Sequence, residues 1–568
     1  MSFRISPGSL MTAGIATGYL LMTGTAIGQQ SYPDPVAAPS YAIGDTVPAQ
    51  PALETVLTDA TPQAAAATEQ APAADTAVIQ SAAADCGCEA AAPAPEAAPC
   101  DSGCATASCG CGKKKCGGFL CREPRKKKKV KPNPCAKSHK GLFYANDFSY
   151  LNDDDYCGNC LGDRLKQIDV GRCGKLDIGG QFRHRYHSEQ GMGRQAGVGA
   201  SGFQDTLNTF SLYRARLYAN YKVNEDLRFY AEGIYADVDA DDDYIPRGID
   251  INRGDFLNLF ADIAITENTI ARIGRQELLY GNQRFISPLD YANTRRTFDG
   301  VRTITKKNDV QLDMFYSQFV PADPTSFDNP DENRDFYGGY ATFTGNENST
   351  VDMYVIGSNN DNPGAITNNF SLQTYGSRIF GKFKNNVLYE TEAAYQTGIQ
   401  RGLDANHEAY AFTAGLGYKF ANHPWQPVLW GFYDFASGND TGDDDFNRFN
   451  DLFPLGHKYL GFIDAVARSN ISSPNVRLAM TPTNRLSLLL WYHHFDADES
   501  GDIIPGVAFP TAQSLDSNDF GNEIDFTANY KLTSRASILA GYSHLFRDAK
   551  ILGDTDADFF YLQTTVNF

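Results

Sequence analysis

Six arginines, Arg272, Arg275, Arg284, Arg295, Arg296 and Arg302, fall within the single stretch RIGRQELLYGNQRFISPLDYANTRRTFDGVR. A guanidinium stays protonated at ordinary pH and presents a planar fork of N–H donors, so this density asks for anions. Two further pairs show a spacing of two, Arg183 with Arg185 and Arg214 with Arg216. In an extended strand that spacing puts both members on one face, which must then meet water or acid. Glu232, Glu277, Asp290 and Asp299 are available as partners. Ion-pair ladders that stiffen a wall therefore stand beside anion binding as a reading of the same residues.

Other chemistries find less support. His493, His494 and His544 sit near strand ends, but no G-x-S-x-G or comparable nucleophile setting accompanies them, and no enzyme activity is expected. The acidic run Asp237 to Asp243 fails as a calcium loop, because its sixth position is Asp242 rather than Gly and its twelfth is Gly248 rather than Glu. No metal site and no cofactor are expected. The 12 cysteines all lie at or before Cys173. Disulfides and metal binding both remain open for them, with Cys157, Cys160 and Cys173 as disulfide candidates; Cys157 and Cys160 form a lone C-x-x-C, and no C-x-x-C-H for haem occurs.

The N-terminal third is organised by composition. Residues 1–28 read as a secretory signal peptide, with Arg4, an apolar core from Leu10 to Met22, and the small-residue site Ala26-Ile27-Gly28. Residues 29–99, rich in Ala and Pro, cannot bury enough apolar surface to order and form a linker. Residues 100–174 are Cys- and Lys-rich and include Lys126, Lys127, Lys128 and Lys129 in PRKKKKVKP. That run is a solvated spacer or a grip on an anionic cell-wall polymer; export excludes nucleic acid as a partner. Nothing in the pattern of residues 141–173 says whether they sit in the mouth of a barrel or outside it.

From Lys175 to Phe568 the texture is uniform. About 18 alternating segments recur every 20 residues or so, as a long antiparallel meander requires. No apolar run long enough for a spanning helix comes after the leader, and mean hydropathy is -0.37, yet Tyr 30 and Phe 36 dominate the large apolar residues. A barrel in lipid reconciles the two, since only every second residue faces the bilayer. Tyr213, Ala215, Leu217, Ala219 and Tyr221 share one face, against Arg214, Arg216, Tyr218 and Asn220; Leu486, Leu488, Leu490 and Tyr492 share another, against Trp491 and His493. Short turns such as NEDL, KNDV and LTSR alternate with long acidic loops, which carry much of the net charge of -19. The expected fold is all-β: a transmembrane antiparallel up-and-down barrel closed by pairing the last strand, ending at Phe568, with the first near Lys175.

The run GRQELLYGNQRFISPLDYANTRRTFDGVR, with YDFASGND, FNDLFPLGHKYLGF and GNEIDFTANYKLT in that order, resembles the alginate export family of bacterial outer-membrane barrels over about residues 175–568. The resemblance implies an 18-stranded porin in the outer membrane whose arginine-lined lumen passes an anionic polysaccharide of polyuronate type. It implies outer-membrane lipid and the barrel assembly machinery as partners, the latter reading the terminal aromatic strand. It adds Arg284, Arg295, Arg296 and Arg302 to Arg183, Arg185, Arg214 and Arg216 as the anion path. Passage of other small anions, and a barrel that anchors envelope layers, stand as alternatives.

Overall fold

The computed structural model describes residues 134–568 except 154–155, 157–159, 173, 198–201, 347, 365–367, 441, 443, 503–516 and 549–552. The leader, the linker, Lys126 to Lys129, Cys157 and Cys173 lie outside the described residues. Alternating apolar and polar positions fold as strands: β1 (Ile168–Val170), β2 (Gly174–Gln190), β3 (Leu207–Lys222), β4 (Leu227–Ala240), β5 (Asn252–Thr266) and β6 (Thr269–Gln276). Next come β7 (Thr297–Lys307), β8 (Val310–Val320), β9 (Asp335–Asn346), β10 (Ser349–Asn360), β11 (Phe370–Lys382), β12 (Val387–Gln400) and β13 (Ala405–Lys419). The last six are β14 (Val428–Ala436), β15 (Ile471–Thr483), β16 (Leu486–Asp496), β17 (Asp519–Lys531), β18 (Ala536–Arg547) and β19 (Ala557–Asn567).

Each strand from β2 onward pairs antiparallel with its successor, and β19 pairs with β2 from Asp558 opposite Gln190 to Asn567 opposite Gln181. The result is a closed 18-stranded antiparallel β-barrel, with β1 as a short addition beside the start of β2. Closure satisfies every strand edge, which an open sheet in lipid cannot do. At the seam Phe568 and Gly180 exchange both backbone hydrogen bonds at 3.0 Å.

Parity fixes which face meets what. In β3, Arg214, Arg216, Tyr218 and Asn220 are buried in the lumen, whereas Tyr213 and Leu217 are 36% and 59% exposed on the outside. In β16, Trp491 and His493 point inward and Leu490 and Tyr492 outward; in β19, Phe559 and Tyr561 point inward and Phe560 and Leu562 outward. Outward Phe229, Leu259, Ile273, Val301, Met353, Val355, Ile379, Leu416, Leu429, Val476 and Phe526 continue the belt around the ring. An apolar surface of that extent is stable only against lipid.

Turn chemistry sets the two ends apart. At one end the connections are tight: Asn224 Oδ1 accepts from the amides of Asp226 and Leu227 at 2.9 and 2.8 Å, Thr483 Oγ1 from Arg485 and Leu486, and Thr533 Oγ1 from Arg535. At the other end run the long connections 191–206, 241–251, 277–296, 321–334 and 437–470. The start of β2 and the end of β19 both fall at the tight-turn, periplasmic end, as an even strand number requires.

Candidate functional site

The lumen is built by two of the long connections turning inward. Residues 277–296 reach β2 and β3 through Asp290, Tyr291 and Ala292, and reach β12 through Asn282 and Arg284. β2 and β12 stand on far sides of the ring, so this connection crosses the barrel interior. Residues 437–470 lie on it: the amides of Ser287 and Phe453 donate to the carbonyls of Phe453 and Phe285 at 2.9 and 3.0 Å, and Tyr459 donates to the carbonyl of Asn282 at 2.5 Å. Phe285, Ile286, Phe298, Phe336, Phe449, Phe453 and Ile463 close a hydrophobic core between the two connections and the wall. Apolar loop residues thus bury against aromatic and aliphatic patches of an inner face that elsewhere carries the arginines and acids.

All eight arginines of the expected path lie in this interior, and all are buried. Arg183 donates to the carbonyls of Asp290, Tyr291 and Ala292 at 2.7, 3.0 and 2.9 Å. Arg185 donates to Gln563 Oε1 at 2.8 Å and to the Tyr291 carbonyl at 3.0 Å, with its guanidinium 3.8 Å over the Tyr291 ring. Arg214 pairs with Asp290 at 2.7 Å, and Arg216 with Glu232 at 2.6 Å. Arg295 bridges Glu277 and Asp290. Arg284 holds Glu390 and Glu392 of β12 at 2.8 and 3.1 Å, Arg296 donates to the carbonyls of Ser287 and Pro454 at 3.3 Å, and Arg302 pairs with Asp313. These contacts tie the crossing connection to both sides of the wall. A buried guanidinium is tolerated here because acid and carbonyl acceptors surround it.

Several arginines of the same set stand outside the expected path, among them Arg272, which lies in the arginine-rich stretch itself. Arg378 joins Glu390 and Asp352, both at 3.2 Å, Arg468 joins Asp434 at 2.8 Å, and Arg272 and Arg228 share Asp262. Arg477 was also missed, and it differs in packing against aromatic rings with no hydrogen bond or ion pair to the nearby Glu390 and Asp434. Inward parity was the available signal for the strand residues Arg228, Arg272, Arg378 and Arg477; Arg468 lies in the 437–470 connection, where parity gives none. On the opposite side of the 437–470 connection, Glu523 Oε1 accepts from the amide of Ile463 at 2.8 Å and Asp525 Oδ1 from that of Phe462 at 3.3 Å. His457 stacks on Tyr291 at 3.9 Å and hydrogen-bonds Asp464 at 2.9 Å, and burial pushes its pKa well below the ordinary histidine value.

The periplasmic mouth receives the end of the Cys-rich segment. Tyr144 inserts between Tyr230 and Phe260, and its hydroxyl donates to the Glu277 carbonyl at 2.9 Å, while Arg228 donates to the Tyr144 carbonyl at 3.0 Å. Arg216 lies 3.9 Å over the Phe143 ring and Arg272 4.4 Å over that of Tyr144. In the turn between β17 and β18, Arg535 donates to Ser138 Oγ at 2.7 Å, to Tyr150 Oη at 3.0 Å and to His139 Nδ1. A disulfide joins Cys135 to Cys160, so the disulfide candidate Cys160 has a partner that the C-x-x-C spacing did not indicate.

A family model described as "Alginate export" matches residues 175–553. No curated protein sequence matches the chain. Among solved structures it is similar to OccD3 (OpdP) of Pseudomonas aeruginosa, at 11% identity and a TM-score of 0.47 over 69% of this chain and 91% of that one. It is similar also to OpdQ of the same organism, at 14% identity and a TM-score of 0.47 over 69% and 97%, and to the outer membrane protein opdK, at 10% and 0.48 over 69% and 98%.

Proposed function

Because the chain belongs to the alginate export family, we propose that this outer-membrane channel passes an anionic polysaccharide of uronate type, with its buried arginines as the charges against which the polymer's carboxylates are exchanged. The observation that carries this reading is the density of guanidinium groups inside a lipid-embedded barrel, on both sides of a crossing connection. A polyuronate entering a narrow lumen loses part of its hydration, and fixed guanidinium groups compensate the exposed carboxylates. The wall acids Glu232 and Glu390, and Glu277 and Asp290 of the crossing connection, hold those groups ready in the absence of cargo, and the cargo's carboxylates replace them one at a time. Weak, repeated exchange suits transport better than one tight site.

Tyr144 and its neighbours in the periplasmic mouth support a second feature, a closed resting state that opens when residues 134–166 withdraw. The anchoring alternative predicts that the mouth never opens. Reconstitution in a planar bilayer tests both. The expected result is a current with anion preference, reduced in selectivity by Arg214→Gln with Arg216→Gln. A cation-selective current, or selectivity untouched by the double substitution, sinks the arginine path; no current at all favours the anchor.

A further inference from the structure

Arg477 stands apart from the acid-paired arginines. It lies at the centre of β15, is 5% exposed, and among the described residues makes no hydrogen bond and no ion pair. In register it is directly opposite Trp430 of β14 on one side and Trp491 of β16 on the other. Its guanidinium carbon is 4.8 Å from the Trp491 ring centre, 5.0 Å from that of Phe432 and 5.8 Å from that of Trp430.

The surrounding rings are fixed. Trp491 Nε1 donates to Asn475 Oδ1 at 2.9 Å, and Trp430 stacks on Phe432 at 4.9 Å. Both of the latter rings lie over glycines of β13, where a Cβ on Gly417 or Gly415 would stand 2.5 or 2.2 Å from ring atoms. The neighbouring acids are committed elsewhere: Asp434 accepts from Arg468, Thr413 and Asn475, and Glu390 from Arg284 and Arg378. Aromatic faces offset a cation's charge but accept none of its five N–H bonds. A guanidinium held in this way lacks an acceptor of matching shape, and a planar carboxylate is that acceptor.

We propose that Arg477, held between Trp430 and Trp491 and beside Phe432, is a binding site for one carboxylate, such as an acidic sugar residue carries. The ligand class rests on the channel reading; the site's existence rests on the wall geometry. Neither the arginine stretch nor the family motifs include it.

Two of the protein's 3 tryptophans border this site, the other being the exposed Trp425 in the turn between β13 and β14, so tryptophan emission reports on it directly. The purified, folded full chain in detergent is titrated with sodium glucuronate against glucose at matched ionic strength. The expected result is a saturable emission change with glucuronate alone, whose midpoint rises by about tenfold or more in Arg477→Gln, the loss of a charge-assisted hydrogen-bonded contact. Arg477→Lys keeps the charge but not the fork, gives an intermediate midpoint, and serves if the glutamine variant fails to assemble. No saturable change in the wild type, or an unshifted midpoint in the variants, overturns the site. If the wild type carries no current yet the emission change stands, the channel reading fails and the site survives.

Discussion

Arg183, Arg185, Arg214 and Arg216 take their side of the wall from residue parity, but the first three find acceptors at Asp290 to Ala292, remote in sequence, whereas Arg216 is held by Glu232 of the neighbouring strand. The same separation of cause governs His139 at the periplasmic mouth. Burial, then the adjacent charges of Arg535 and Lys166, hold its pKa down to about 3, so it is neutral while seated. Once withdrawn, it takes up a proton near its ordinary value of 6.5. The withdrawn form therefore binds more protons between those values, and seating, fully favourable above that window, weakens as pH falls through it, by up to about 1.4 kcal/mol per pH unit. Measured as protection, with the intrinsic pH dependence of amide exchange divided out, hydrogen exchange at the described residues of 134–166 is expected to show protection falling from pH 7.5 to pH 5, and His139→Gln to flatten the dependence. Protection independent of pH in the wild type would contradict this.

At the scale of elements, the inward connections are docked by few groups. Gly461 has φ +85°, a conformation that favours glycine, and a Cβ there would meet Glu523 Oε2 at 2.4 Å. Glu523 is also the acceptor for the amide of Ile463. Gly461→Ala adds roughly 1–3 kcal/mol of strain at this contact with the Glu523 side chain of β17, enough to loosen 437–470 while leaving the strand pairing of the barrel in place. The expected outcome is faster proteolytic cutting within 437–470 and a several-fold larger conductance, with the barrel's resistance to heat unchanged. Unaltered cutting would show that the core around Phe449 and Phe453 docks the connection unaided.

For the whole molecule, the lipid belt decides stability. Leu217 is outward-facing midway between Tyr213 and Tyr221 on β3 and is 59% exposed. Leu217→Arg is expected to lower unfolding free energy by roughly 2–4 kcal/mol in lipid vesicles, the cost of an arginine at the bilayer midplane. Arg214, three residues earlier and of opposite parity, carries its charge at no such cost because the lumen supplies Asp290 and Gln181. An equal stability for Leu217→Arg and wild type would place that face away from the bilayer centre.

Alternation with period two, tight turns such as NEDL, KNDV and LTSR, and a terminal aromatic strand were enough to determine a barrel of about 18 strands and which face of β3, β16 and β19 is outward, while the family resemblance supplied the count of 18. Those features are local, and closure results from them because no edge can stay open in lipid. The sequence also marked 272–302 as arginine-rich and strand-flanked, which β6 and β7 bear out. Only tertiary structure decided that 277–296 crosses the lumen, that 437–470 packs upon it, that Cys160 joins Cys135, and that Arg477 faces tryptophans where its fellows face acids and carbonyls. Each of these is a contact between segments distant in sequence, and the partner of a buried charge is set by which strands and loops the closed ring brings together.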